Sequence, residues 1–198
     1  RLTDVTGVQT CALPIYYNPG GAAKHNIDAP WACCTGTRPQ AVAEYANLIY
    51  FHTEKALFVN LYAESTLHWE RPGGAVEVAQ KTVFPESEET VLTLALDTPA
   101  EFSINFRLPG WLAGPVQLTV NGEQCSPEFT EDGWAKVERT WQSGDVLGLK
   151  LPMKLWVSYY DTPNTYPAAL MYGPVALAVR GQEGNPASLI PLDNLEGA

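Results

Sequence analysis

Basic residues are scarce in this sequence: 12 Lys and Arg stand against 22 Asp and Glu, giving a formal net charge of −10. A general nucleic-acid binder needs clustered cations to meet phosphate, so the balance argues against that class and points to acidic residues that serve solubility. No apolar run reaches the roughly 18 residues of a membrane-spanning helix. Nor does the chain open with the charged stretch, apolar segment and cleavage site of a signal peptide. Histidine is limited to His25, His52 and His68, each isolated. The dinucleotide, phosphate-loop, H-E-x-x-H and G-x-S-x-G patterns are all missing. Acidic pairs such as Asp28 with Glu64, or Glu44 with Glu54, lack a spacing that marks the acid and base of glycoside cleavage.

Cysteine is also sparse. Cys11, Cys33, Cys34 and Cys125 are too few for a disulfide framework in 198 residues. The adjacent pair Cys33-Cys34 would close on itself only under strain, because its side chains diverge and its Cα atoms lie too close. Thiols used separately fit better and favour a reducing, cytoplasmic compartment slightly, although localisation stays open. Three uses suit the pair: buried or incidental thiols, metal ligation, and a nucleophile. Structural zinc sites space their cysteines by about two to four residues, so CC alone signals metal weakly.

What is plentiful is turn chemistry. Sixteen Gly and sixteen Pro, with 45% hydrophobic residues, indicate one sizeable core crossed by many short elements. Residues 1–15 show no helical or strand period, resemble translated sequencing-adapter read-through, and are expected to be a doubtful leader; under that reading Cys11 has no function. The chain begins at Arg1 rather than Met, as an incomplete or processed product would. Residues 16–32 form a loop rich in Asn, Pro and Gly.

Thr37 followed by Gln40 fits a capping box, and Pro39 is tolerated in a first helical turn. Val42, Tyr45, Ala46, Ile49 and Tyr50 then recur at helical spacing, which predicts a helix over 38–50. Cys33 and Cys34 would thus precede a helix N-terminus, whose field favours thiolate. Glu44 would lie a turn or more along that helix.

From Ala56 the period becomes two. Strands are expected at 56–62, 76–84, 90–96, 102–108, 116–120, 133–139, 146–151, 155–159 and 176–179, with residues 160–174 returning to loop. Asn121-Gly122 is the strongest hairpin signal, since both residues tolerate positive φ. Many short strands at this spacing predict an antiparallel β-sandwich. Trp31, Trp69, Trp111, Trp134, Trp141 and Trp156 suit sandwich core more than sugar stacking, with Trp31 of the cysteine loop held apart as a candidate site residue.

The ordered series YYNP, WACCTGT, IYFHTEKALFVNLYAESTLHW, RLPGW, LTVNG, WQSGD, LKLPM and YGPVALAV resembles glycoside hydrolase family 127 and its β-L-arabinofuranosidase-like relatives over residues 16–180. The resemblance implies a mainly β chain, an antiparallel β-sandwich preceded by a loop and one helix left from an (α/α)6 barrel. Residues 16–52 would be the end of that catalytic barrel, 53–180 the sandwich and 181–198 a truncated segment.

It further implies a retaining hydrolase of terminal β-L-arabinofuranosides or related sugars. Cys33 would be the nucleophile and Cys34 a zinc ligand, with both Cys33 and Cys34 counted among the metal residues. Trp31 and His25 are candidate substrate contacts from their place near the cysteine loop, not from the resemblance; His25 is alternatively a ligand or a solvated loop residue. The thiolate would attack the anomeric carbon while a carboxylic acid protonates the leaving oxygen, and water would then hydrolyse the thioglycoside. The acid/base glutamate and remaining zinc ligands of the family lie upstream, so zinc is expected to bind weakly or not at all here and the isolated chain to be inactive. CCTGT differs from the CCPPN form of the well-defined arabinofuranosidases, which leaves the sugar open.

Without its barrel domain, the chain is expected to self-associate through exposed apolar surface. A reading from another class is a noncatalytic β-sandwich that binds carbohydrate or serves as structure, which predicts glycan binding indifferent to Cys33→Ser.

Overall fold

The computed structural model describes residues 4–6, 44–159 and 168–177. Strands β1 (Asp4–Thr6), β4 (Ser65–Trp69), β5 (Val76–Thr82), β6 (Glu89–Leu96), β12 (Val146–Lys150), β8 (Gln117–Val120) and β9 (Glu123–Cys125) form a seven-stranded sheet in that order. A five-stranded sheet runs β10 (Glu128–Phe129), β11 (Trp134–Trp141), β7 (Ala100–Arg107), β3 (Ala56–Val59), β2 (Tyr50–His52). A third, three-stranded sheet joins β13 (Leu155–Tyr159), β14 (Ala168–Tyr172) and β15 (Val175–Ala176).

The two wide sheets face each other. On β6, Thr90, Leu92, Leu94 and Leu96 point inward while the residues between them are exposed, the period-two signature of a half-buried strand. Phe102, Ile104 and Phe106 of β7 and Leu57 and Val59 of β3 supply the opposing layer of one continuous core. The Trp69 ring meets Phe102 edge-on across the layers at 5.2 Å between centroids. Leu94, Leu118, Leu147 and Leu149 are almost wholly removed from water; each such burial contributes about 1.5–3 kcal/mol.

Local chemistry sets the registers. Asn121 and Gly122 take φ of 53° and 82° and close the β8–β9 hairpin, with Val120 opposite Glu123. Asn121 Nδ2 donates to Asp145 Oδ1 at 2.8 Å, and the Val146 N–H donates to Asn121 Oδ1 at 2.9 Å, tying that turn to the start of β12. Gly148 sits directly opposite Thr119. A Cβ there would fall 2.6 Å from Thr119 Oγ1, so any larger residue would have to displace the Thr119 hydroxyl where β12 pairs with β8.

Three expectations need correction. The helix over 38–50, taken as a barrel remnant, does not form over its described part. After helical backbone at Glu44 and Tyr45 there is only a 3-10 turn, Ala46–Leu48, and Tyr50 already belongs to β2. No α-helix is completed among the described residues, which are all-β apart from this turn. The helical spacing of apolar residues was accidental: Ile49 and Tyr50 bury in the sandwich core while Tyr45 faces outward, and the aromatic, β-branched run favours extended backbone once a core can receive it. Residues 160–174, expected as loop, include β14, which pairs along all of β13. The sandwich also departs from a purely antiparallel scheme, because β3 pairs parallel to β7.

Candidate functional site

Cys33, Cys34, Trp31 and His25, the residues assigned to chemistry by sequence, lie outside the described residues. The structure describes instead how the chain that carries them is received. Glu44 is exposed and accepts a hydrogen bond from Asn47 Nδ2 at 3.0 Å, so it serves its own turn. The Ile49 carbonyl then accepts from the N–H groups of Asn60 and Leu61, and Asn60 Nδ2 donates to the Leu48 carbonyl at 2.8 Å. Three hydrogen bonds thus clamp Leu48 and Ile49 to the segment after β3.

Tyr50 completes the anchor inside the core. Its hydroxyl lies 3.0 Å from Ser65 Oγ and accepts from Gln80 Nε2 at 3.0 Å. Gln80 Nε2 also reaches the Leu61 carbonyl at 3.3 Å, and Ser65 Oγ donates to the Ala63 carbonyl at 2.8 Å. Burial pushes the Tyr50 hydroxyl up to about 12, against the opposing effect of its bonds to Ser65 and Gln80. The phenol therefore stays neutral and acts as a directional peg. A signal for this network exists in the sequence: Gln80 interrupts the inward set Val76, Val78 of β5, and a polar residue at a core position demands partners.

At the opposite end, cations and aromatic rings interleave. The Arg71 guanidinium lies over the Phe102 ring at 4.8 Å and the Trp69 ring at 5.3 Å, and Nη2 donates to the Glu101 carbonyl. Arg139 covers Trp141 at 5.3 Å, and Trp141 Nε1 donates to the Phe102 carbonyl at 2.9 Å. His52 packs tilted against Trp69, 5.8 Å between centroids. Trp69 Nε1 and Arg71 Nε and Nη1 are buried without hydrogen-bond partners.

The remaining candidates have ordinary roles. His68 pairs with Glu77 directly across β4 and β5 at 3.2 Å on the exposed face. Trp69 and Trp141 are fully buried core, whereas Trp111 stacks on Phe84 and Trp134 packs edge-on to Phe58 at partly exposed positions. Trp156 Nε1 donates to the Gly173 carbonyl. Cys125 is a free thiol beside a groove of about 610 Å³ along β11. Lys136 in that groove is committed to Glu138 at 2.7 Å and Glu128 at 3.6 Å. Among the described residues, no three His, Cys, Asp or Glu side chains converge as metal ligands, and no helix is long and apolar enough to cross a membrane.

The family model for the middle domain of GH127 β-L-arabinofuranosidases matches residues 56–153, from β3 to just past β12. The chain matches the GH127 β-L-arabinofuranosidase family. Within it, the non-reducing end β-L-arabinofuranosidase of Bifidobacterium longum subsp. longum is 26% identical over 178 residues, 83% of this chain and 26% of that protein. The crystal structure of a GH127 β-L-arabinofuranosidase from Geobacillus stearothermophilus T6 superposes with TM-score 0.67 at 32% identity, covering 73% of this chain and 23% of that one. A second GH127 β-arabinofuranosidase, 20% identical with TM-score 0.66 and covering 73% of this chain and 26% of its own, shares the fold. The chain therefore spans about a quarter of the length of these GH127 relatives.

Proposed function

We propose that this chain is the β-sandwich part of a GH127 carbohydrate-cleaving enzyme, with terminal β-L-arabinofuranosides or related sugars as substrates. The match of residues 56–153 to the family's middle domain carries the reading, and the activity named for the Bifidobacterium relative supports the substrate class. In this reading Cys33 is the nucleophile, Cys34 a zinc ligand, and Trp31 and His25 substrate contacts. The described residues do not by themselves make a zinc site, so no step is assigned to the metal.

The sandwich contributes position. Tyr50 follows Cys34 by 16 residues (50 − 34), a tether that could span at most about 55 Å if fully extended. Pinning Tyr50 to Ser65 and Gln80 and clamping Leu48 and Ile49 fix one end of that tether. A fixed anchor reduces the volume the cysteine loop can sample, and precise placement of a nucleophile is worth a large part of a catalytic barrier.

The isolated chain is expected to be inactive, since the acid/base carboxyl and further ligands assigned by resemblance lie upstream. Assay of the purified chain against an aryl β-L-arabinofuranoside, with and without zinc, tests this. No turnover above buffer is expected; zinc-dependent turnover abolished by Cys33→Ala would show that a working site survives. The full-length protein should hydrolyse the same substrate and lose activity by at least a thousandfold on Cys33→Ala. Glycan binding by the isolated chain that is unchanged in Cys33→Ser would favour a noncatalytic carbohydrate-binding module instead.

A further inference from the structure

The segment that brings the chain into the sandwich has two opposite sides. Ile49 and Tyr50 are completely buried, yet Tyr45, Leu48 and Phe51 expose 42%, 46% and 44% of their surfaces. Nine large apolar side chains are exposed among the described residues, and three of them fall within these seven positions. Tyr45 and Leu48 are three apart around a 3-10 turn, where such residues eclipse one another on one side. Phe51 stands directly opposite Phe58 in the β2–β3 register. Phe58 in turn meets Trp134 edge-on at 5.1 Å, so the aromatic surface continues across the outer face of the five-stranded sheet.

Taking about 200 Å² for a large aromatic side chain, Tyr45, Leu48 and Phe51 together leave roughly 250 Å² open. That is far below the ~800 Å² per partner of a stable dimer. It approaches the ~300 Å² per side at which inter-domain contacts within one chain begin, where a tether supplies millimolar effective concentration. The patch lies on the very segment that continues toward the cysteine loop, and the sandwich corresponds to a middle domain in relatives of which the chain covers about a quarter.

We propose that Tyr45, Leu48 and Phe51, continued by Phe58 and Trp134, form the seat on which the preceding domain of the parent polypeptide docks. This rests on the reading of the chain as part of a longer GH127 enzyme. Docking here would fix the segment from both sides: the sandwich holds Ile49 and Tyr50, and the preceding domain covers Tyr45, Leu48 and Phe51 beside them.

Hydroxyl-radical footprinting of the full-length protein and of the 198-residue chain tests the proposal. Labelling of Tyr45, Leu48 and Phe51 is expected to fall at least fivefold in the full-length protein, while Val83 and Phe129, exposed elsewhere, label equally in both. Equal labelling of all five overturns the seat. So does a concentration-dependent dimer of the short chain that Phe51→Lys dissolves, if the full-length protein leaves the patch unprotected; the occupant would then be a second copy. Arabinofuranoside hydrolysis is read in parallel. Protection without hydrolysis keeps the docking seat and removes the enzymatic reading, whereas hydrolysis without protection does the reverse.

Discussion

At the end of the sandwich where the chain comes in, Tyr50, Ser65 and Gln80 exchange short directional hydrogen bonds in a buried setting. At the other end, Arg71 lies over Trp69 and Phe102 with two of its nitrogens unpartnered. The first arrangement rewards one geometry, in which only Gln80 Oε1 of the three side chains is left without a partner, and strands more buried polar atoms in any other. The second is broad and tolerant, because attraction between a cation and a ring face varies slowly with position. Directionality is concentrated where the chain enters the sandwich, and tolerance where the sandwich merely has to close.

The largest effect should come from within the tolerant end, at Trp141, a ring there that is also hydrogen-bonded. Trp141→Ala is expected to lower stability by about 3–5 kcal/mol in urea unfolding, from lost burial and the cavity left behind. A sharper contrast comes from conservative changes. Trp141→Phe strands the Phe102 carbonyl and should cost about 1–3 kcal/mol more than Trp69→Phe, whose indole N–H has no partner to lose; equal costs would dissolve the distinction drawn here.

Next, Tyr50→Phe should cost about 1–2 kcal/mol by removing a partner from Ser65 and Gln80. Arg71→Met should cost no more than about 1 kcal/mol, since methionine restores apolar contact with both rings. A larger loss for Arg71→Met than for Tyr50→Phe would invert the comparison.

Tyr50 also predicts a pH dependence. Its folded pKa is raised to about 12 by burial, while an unfolded tyrosine titrates near about 10. Above about pH 10 the unfolded chain releases the proton and the folded chain keeps it, so stability falls as pH rises through this window. Burial raises Tyr62 in the same direction. Chemical unfolding at pH 9 and pH 11.5 should show the decline, and Tyr50→Phe should lessen it. The smallest effect is expected at the exposed His68–Glu77 pair, where His68→Ala should change stability by less than about 0.5 kcal/mol.

The sequence made the strand-rich sandwich legible because alternation, turn glycines and Asn121-Gly122 agree with one another across β5, β6, β8 and β12. It misled where two periodicities overlap: Tyr45, Ile49 and Tyr50 fit a helical stripe, but a partner outside the segment decides between helix and strand, and that partner is the sandwich core itself. β14 was hidden because Ala168–Tyr172 follows a proline- and threonine-rich stretch and gains its strand character from pairing with β13. The cysteine loop was legible only as chemistry. Thiols at Cys33 and Cys34 leave incidental, metal-binding and nucleophilic uses open, because local spacing does not encode the distant groups that would make them catalytic. Spacing does flag Gln80 as polar at a core position, but not its partners Tyr50 and Ser65, which come from two other strands.

The seam between β3 and β7 has a consequence for how the molecule assembles. The β2–β3 hairpin joins the five-stranded sheet through this one parallel pairing, Ala56 opposite Ser103 to Val59 opposite Phe106. The intervening β4–β6 meander belongs to the other sheet. No tight turn can nucleate such a seam, so the chain meets a long loop-closure cost before the contacts reward it. The expected kinetic order is meander first and hairpin last, which makes delivery of the cysteine-bearing segment a late folding event and the first to reverse under denaturant.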